Sequence, residues 1–121
     1  MKLASTLDRR LLAVRGDAAV DLTDVLRLAP GPGGPLLAFL ERGGTLDALR
    51  ALDLDALPSQ PLDPARLAAP VARPGKVVGA PVNYRDHQIE MDEQRSIADY
   101  GVFLKATFSV IGPNERIRLP Y

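Results

Sequence analysis

The proline and glycine residues of this chain occur in clusters. Its 121 residues include 10 glycines and 11 prolines, and the clusters fall in residues 30–35, 58–64 and 70–75. Proline removes a backbone donor and fixes φ, while glycine opens conformations that other residues avoid. The clusters therefore predict connectors, with short strand-like and helix-like pieces between them.

Composition excludes several classes of protein. The 15 basic and 15 acidic side chains cancel, so no basic excess is available for nucleic acid or for a membrane surface. The absence of cysteine excludes a disulfide framework, a thiolate zinc site and a cysteine nucleophile. No stretch approaches the roughly 18 apolar residues that a bilayer span needs, and the N-terminus lacks the pattern of a signal peptide. We therefore expect a soluble, cytoplasmic chain.

The first 65 residues read as a small α+β module with a leucine core. The pattern predicts strands over 3–7, 11–14 and 18–22, with Arg15-Gly16-Asp17 as a hairpin turn. Asp21 or Thr23 is predicted to cap a short helix that continues to residue 28. Further helices are expected over 36–41, with Pro35 in the first turn, and from a Thr45 cap to residue 57.

From residue 70 the pattern changes. We expect a buried strand over 76–80, then a helix from Tyr84 to about residue 92, capped by Asn83 with Asp86 three positions later. A weakly structured stretch over 94–99 follows, a strand is predicted over 101–105, and residues 109–113 and 117–119 indicate a further strand and turn.

The only histidine, His87, lies on that predicted helix with Glu90 three positions later. Residues at this spacing share a helix face, so a carboxylate can orient the imidazole and leave its other nitrogen free as a general base. From spacing alone, a solvated surface pair is the simpler interpretation. Lys105, in an apolar strand, should either reach the strand edge or meet an anion.

The second half of the chain resembles the fumarylacetoacetate hydrolase family in the order and spacing of its motifs. The start, with Arg15-Gly16-Asp17 and Val20-Asp21-Leu22-Thr23, is similar to the small N-terminal domain of bacterial members. The motifs that carry the resemblance are Pro74-Gly75-Lys76-Val77-Val78-Gly79, Asn83-Tyr84-Arg85-Asp86-His87, Glu90-Met91, Phe103-Leu104-Lys105, Ile111-Gly112-Pro113 and Ile117-Arg118-Leu119-Pro120.

This resemblance implies a small N-terminal α+β domain over 1–68 and, over 69–121, the beginning of the family's mixed β-roll catalytic domain with its lid helix. Family members are cytoplasmic, often dimeric enzymes that act on small 2-keto or 1,3-dicarbonyl acids with Mg²⁺ or Mn²⁺. They hydrolyse C–C bonds of acylpyruvates and fumarylacetoacetate-like diketones. Others decarboxylate oxaloacetate-like acids or isomerise hydroxymuconate-type compounds, and the sequence leaves these alternatives open.

The resemblance also assigns residues. His87 and Glu90 correspond to the catalytic dyad that activates water, Asn83 and Tyr84 to the start of the lid, and Lys105 to an anion-facing or structural lysine. The family's metal ligands, a Glu-x-Glu pair and an Asp, lie beyond the motif that ends at Pro120, so no metal ligand is assigned here. We therefore expect the 121-residue chain alone to be inactive, with a non-catalytic interaction module as the rival hypothesis.

Overall fold

The computed structural model describes residues 1–29 and 31–119. Pro30, with which the first proline cluster begins, Pro120, with which the last motif ends, and Tyr121 lie outside the described residues. The chain forms two compact units. The first comprises Met1–Pro74 with the segment from Val110 onward, and the second comprises Gly75–Ser109. Helices and strands occur together, which confirms the α+β class. The predicted boundary between residues 68 and 69, and the β-roll, stay predictions.

An antiparallel sheet of five strands is the frame of the first unit. The strands are β1 (Lys2–Thr6), β2 (Leu11–Arg15), β3 (Ala18–Asp21), β4 (Ser59–Pro61) and β5 (Leu67–Ala68). Their order in the sheet is β4-β3-β2-β1-β5. The hairpin between β2 and β3 turns at Gly16, whose φ of 59° is in the left-handed region that favours glycine. The first three strands confirm the sequence prediction to within a residue at each end.

Two short helices contribute to the core of this unit. Helix α1 (Pro35–Glu41) supplies Phe39, and helix α2 (Leu46–Arg50) supplies Leu49. These side chains form one buried cluster with sheet residues, namely Leu11, Ala13, Val20 and Leu22. The predicted helix over 36–41 is confirmed, and Thr45 caps α2 by accepting a bond from Ala48 N at 3.2 Å, as predicted.

The predicted helix over 22–28 is wrong. Thr23 Oγ1 accepts a hydrogen bond from the buried Leu11 N at 2.9 Å, so the hydroxyl supports the sheet instead of capping a helix. Asp21 Oδ1 accepts from Thr23 N at 2.8 Å, and residues 23–27 form turns. Arg27 ends this stretch at a φ of 50°.

The third predicted helix is shorter than expected. It ends at Arg50 instead of residue 57, and Asp53 then caps a separate 3₁₀ turn over Leu54–Ala56 by accepting from Asp55 N at 3.1 Å. An aspartate side chain that bonds the backbone two residues on competes with helix continuation. A second 3₁₀ turn, Pro64–Arg66, is capped in the same way by Asp63.

The second unit holds a two-stranded antiparallel ribbon and two short helices. The ribbon pairs β6 (Val77–Gly79) with β7 (Phe103–Lys105), and between these strands lie α3 (Arg85–Glu90) and α4 (Ile97–Tyr100). The strand predicted over 76–80 is present but not buried, because Val78 is 57% exposed. Phe103 and Leu104 on the partner strand are exposed as well.

Three further predictions for this region are wrong. Asn83 is not the cap of α3; Tyr84 is, without a side-chain bond, so the predicted Asn83–Asp86 box does not form. The stretch over 94–99 contains α4 instead of weak structure. Within the described part of 109–119 no strand forms, and Thr107–Ser109 is a 3₁₀ turn.

None of the helices in the described residues is long and apolar enough to cross a membrane.

Candidate functional site

Helix α3 carries the residues that the sequence assigns to chemistry. It is one and a half turns long, and all six of its residues are at least partly exposed. Tyr84 precedes it in an extended conformation, and Asp86 lies in its first turn, where a carboxylate interacts favourably with the helix dipole. The helix therefore presents polar side chains to solvent and contributes nothing to a hydrophobic core.

His87 and Glu90 lie three positions apart on α3, which places them on the same helix face. Both side chains are exposed. The backbone carbonyl of His87 accepts a bond from Met91 N at 3.0 Å, and in the part of the chain that the structure describes no hydrogen bond or ion pair joins the two side chains. The structure thus brings the pair together on one accessible surface, and its catalytic role stays a prediction.

The other predicted site residues belong to the same compact unit. Asn83 is exposed, and Tyr84 is 73% exposed at the start of α3. Lys105 ends β7 opposite Val77, and its Nζ lies 5.8 Å from the centroid of the Phe103 ring, within the range of a cation–π contact. Lys105 is exposed at the ribbon, which is the first of the two alternatives from the sequence, and a contact with an anion stays a prediction.

A polar cluster next to α3 was missed by the sequence analysis. The Glu93 carboxylate accepts bonds from the Tyr100 hydroxyl, from Arg95 N at 2.9 Å and from Arg95 Nε at 3.3 Å. The Arg95 guanidinium lies 4.5 Å from the centroid of the Tyr100 ring. Bonds from Tyr100 and Arg95 lower the pKa of Glu93 to about 2, and the Glu93 carboxylate raises the pKa of Tyr100.

The sequence holds a signal for α4, the helix that supplies Tyr100 to this cluster. Ser96 and Asp99 have the spacing of a capping box, and the structure forms it: Ala98 N donates to Ser96 Oγ at 3.2 Å, and Ser96 N donates to Asp99 Oδ2 at 2.8 Å. The bonds that Ser96 N and Ser96 Oγ donate to the Asp99 carboxylate lower the pKa of Asp99. A Ser-x-x-Asp pattern before an apolar residue predicts a helix start, and it would have located α4.

The described residues do not fit a divalent metal site. Across residues 1–29 and 31–119, no group of three or more His, Asp or Glu side chains is placed to hold a metal ion. Carboxylate and imidazole ligands must converge on one point to bind Mg²⁺ or Mn²⁺, and His87 and Glu90 do not supply enough of them.

Comparison with known proteins places this geometry in context. Maleylpyruvate hydrolase of Aquipseudomonas alcaligenes is 33% identical over 135 residues, covering 100% of this chain and 47% of that protein. The mitochondrial oxaloacetate tautomerase Fahd2a of Rattus norvegicus is 35% identical over 106 residues, covering 87% of this chain and 33% of the relative. No protein-family model matches the chain.

Among solved structures, maleylpyruvate hydrolase from Sphingobium sp. SYK-6, crystallised with manganese(II) and pyruvate, superimposes with a TM-score of 0.70 at 29% identity. That match covers 98% of this chain and 42% of the hydrolase. The chain therefore has an α+β fold, and its relatives are named maleylpyruvate hydrolase and oxaloacetate tautomerase. The chain belongs to the fumarylacetoacetate hydrolase family, as its motifs predict, and resembles the N-terminal portion of its members. It spans less than half the length of the relatives that it matches.

Proposed function

We propose that this chain is part of a metal-dependent enzyme that hydrolyses a C–C bond in small 2-keto or 1,3-dicarbonyl acids of the acylpyruvate type. The observation that carries the proposal is the accessible face of α3 that holds His87 and Glu90. The whole of this chain matches part of a maleylpyruvate hydrolase. In this proposal His87 is the general base and Glu90 orients its ring.

The proposed reaction balances through this pair. The imidazole of His87 takes a proton from water, and the resulting hydroxide adds to the acyl carbonyl carbon. The bond from that carbon to the neighbouring methylene then breaks, and its electron pair leaves with the pyruvate fragment as an enolate. The enolate carbon takes up the proton held by His87, so the products are a carboxylic acid and pyruvate.

A divalent cation, Mg²⁺ or Mn²⁺, is part of the proposal for the complete enzyme. Its support is the manganese(II) in the Sphingobium structure. Since no described cluster of this chain fits the ion, we assign it no ligand here and derive no step from it. Homodimerisation and a cytoplasmic location belong to the same proposal, and light scattering and cell fractionation test them.

A second candidate function is isomerisation or decarboxylation of an oxaloacetate-like acid. The relative named oxaloacetate tautomerase favours the isomerisation, because a tautomerase moves a proton and breaks no C–C bond, whereas decarboxylation breaks one. Product analysis separates the reactions: hydrolysis of an acylpyruvate yields pyruvate and a second acid, and decarboxylation of oxaloacetate yields pyruvate and CO₂. Tautomerisation accelerates the approach to the keto–enol equilibrium without changing the carbon count.

The test uses the full-length protein with Mg²⁺ or Mn²⁺ against a series of acylpyruvates and oxaloacetate. We expect His87→Ala to lower kcat by about a hundredfold or more, since general base catalysis contributes on this order. Glu90→Gln should give a smaller loss. Asp86→Asn is the matched control on the same helix and should retain activity. Normal turnover by His87→Ala contradicts the catalytic assignment.

The rival hypothesis of a non-catalytic interaction module has its own test. Calorimetric titration of the 121-residue chain with Mn²⁺ measures whether it binds metal by itself. Tight binding contradicts the module hypothesis, and it would also contradict our assignment of no metal ligand to the described residues.

A further inference from the structure

A continuous set of hydrogen bonds joins the end of α3 to α4. Gln88 lies on α3, and its Nε2 donates to Arg95 O at 2.9 Å, while Glu93 N donates back to Gln88 O at 2.8 Å. The Glu93 carboxylate then links Arg95 to the Tyr100 hydroxyl at the end of α4. Every member of this set belongs to one compact unit.

These hydrogen bonds fix the orientation of α3, whereas buried apolar side chains fix the orientation of α1 and α2. Because α3 buries none of its residues, apolar packing does not fix its orientation. The Glu93 side chain is only 22% exposed, although it lies on a surface loop, and it accepts bonds from the Arg95 and Tyr100 side chains. A carboxylate that accepts several bonds from donors on one loop and one helix ties those pieces together.

We propose that Gln88, Glu93, Arg95 and Tyr100 are positioning residues that hold α3, and with it His87 and Glu90, in the orientation needed for catalysis. We call this set the Glu93 latch. It touches neither substrate nor reacting atoms, and it acts through the helix that carries the base. The catalytic part of this inference rests on the function proposed above, whereas the mechanical part does not.

Two conservative variants test the latch in the full-length protein. Tyr100→Phe removes one hydroxyl and keeps the ring under Arg95, and Glu93→Gln keeps the shape and removes the charge. Asp92→Asn is the matched control, because it also removes one carboxylate from the same loop, and asparagine tolerates the φ of 48° at that position. Hydrogen exchange of residues 84–95 is the first readout, with exchange in β1–β3 as an internal measure of folding.

We expect Tyr100→Phe and Glu93→Gln each to accelerate exchange over 84–95 by about threefold or more, while Asp92→Asn leaves it unchanged. The double variant should match Glu93→Gln alone, because residues of one network are not additive. In the activity assay, kcat should fall while KM stays within about twofold, the pattern of an interaction that matters in the transition state.

The outcomes separate the two proposals. Unchanged exchange in both variants overturns the latch whatever the activity. Accelerated exchange with an unchanged kcat, in a protein that His87→Ala inactivates, overturns the positioning role. Accelerated exchange in a protein without hydrolase, tautomerase or decarboxylase activity supports the mechanical latch and overturns the proposed function.

Discussion

Thr23 Oγ1 accepts a hydrogen bond from the backbone N–H of Leu11 at 2.9 Å, and both residues are buried. This single bond ties the turn after β3 to the start of β2. It also explains why residues 23–27 turn back instead of forming a helix, since the hydroxyl is committed to the sheet.

Thr23→Val should therefore lower the free energy of unfolding by about 1–3 kcal/mol, because it leaves the buried Leu11 N–H without a partner. Urea unfolding of the full-length protein followed by circular dichroism measures the change. Thr23→Ser keeps the hydroxyl and should lose less. If Thr23→Val is as stable as the natural protein, the buried bond does not contribute as we expect.

Gly44 packs against the Phe39 ring, and a Cβ added there would lie 2.4 Å from the ring Cζ. Phe39 is only 7% exposed and belongs to the buried cluster, so the ring has little room to move. Gly44→Ala should cost about 1–3 kcal/mol of unfolding free energy, the usual range for overpacking. Gly75→Ala, where nothing lies within 4 Å, is the control and should be near neutral.

The pKa of Glu93 gives a prediction about pH. Its value of about 2 lies below the ordinary 4.5, mainly because the Tyr100 hydroxyl donates to the carboxylate. A carboxyl group whose pKa is lower in the folded state than in the unfolded state stabilises the folded state when the pH is above its ordinary pKa. The contribution of Glu93 therefore disappears as the pH falls from 4.5 through 2. Carbon-detected NMR titration should show this low midpoint, and Tyr100→Phe should move it upward. A midpoint that the variant leaves unchanged contradicts the assigned cause.

Of the two roles assigned to Lys105, anion-facing or structural, the anion-facing role predicts a contact with the carboxylate of a keto acid. Lys105→Gln should then raise KM by about tenfold, the scale expected for losing a hydrogen bond between charged groups, with little change in stability because the side chain is exposed. Lys76→Gln removes an exposed lysine just before β6 and serves as the matched control. Equal effects of the two substitutions would indicate general electrostatics instead of a specific contact.

The sequence predicts the parts of this fold that depend on local pattern. The β1–β3 meander, the Pro35 helix start and the Thr45 cap follow from alternation, fixed φ and a hydroxyl acceptor, and the structure has them. The helix expected after Thr23 fails because a residue 12 positions away, Leu11, takes the capping hydroxyl. No local pattern contains such a long-range competition.

The same distinction holds for the candidate site. The i,i+3 spacing of His87 and Glu90 and the family motifs locate α3 from sequence alone. The Glu93 cluster is different, because it depends on Tyr100 returning to a carboxylate seven positions earlier. Strands β4 and β5 were missed for a related reason: they are three and two residues long and have no apolar alternation of their own.

The five-stranded sheet has a further consequence through its two outermost strands. Strand β4 ends in Pro61, which has no N–H to offer, and β5 has only two residues. A sheet recruits an additional strand from another molecule through a row of free backbone donors and acceptors, and neither of these two outermost strands offers a long row. Fibre-like growth by strand addition along β4 or β5 should therefore be disfavoured.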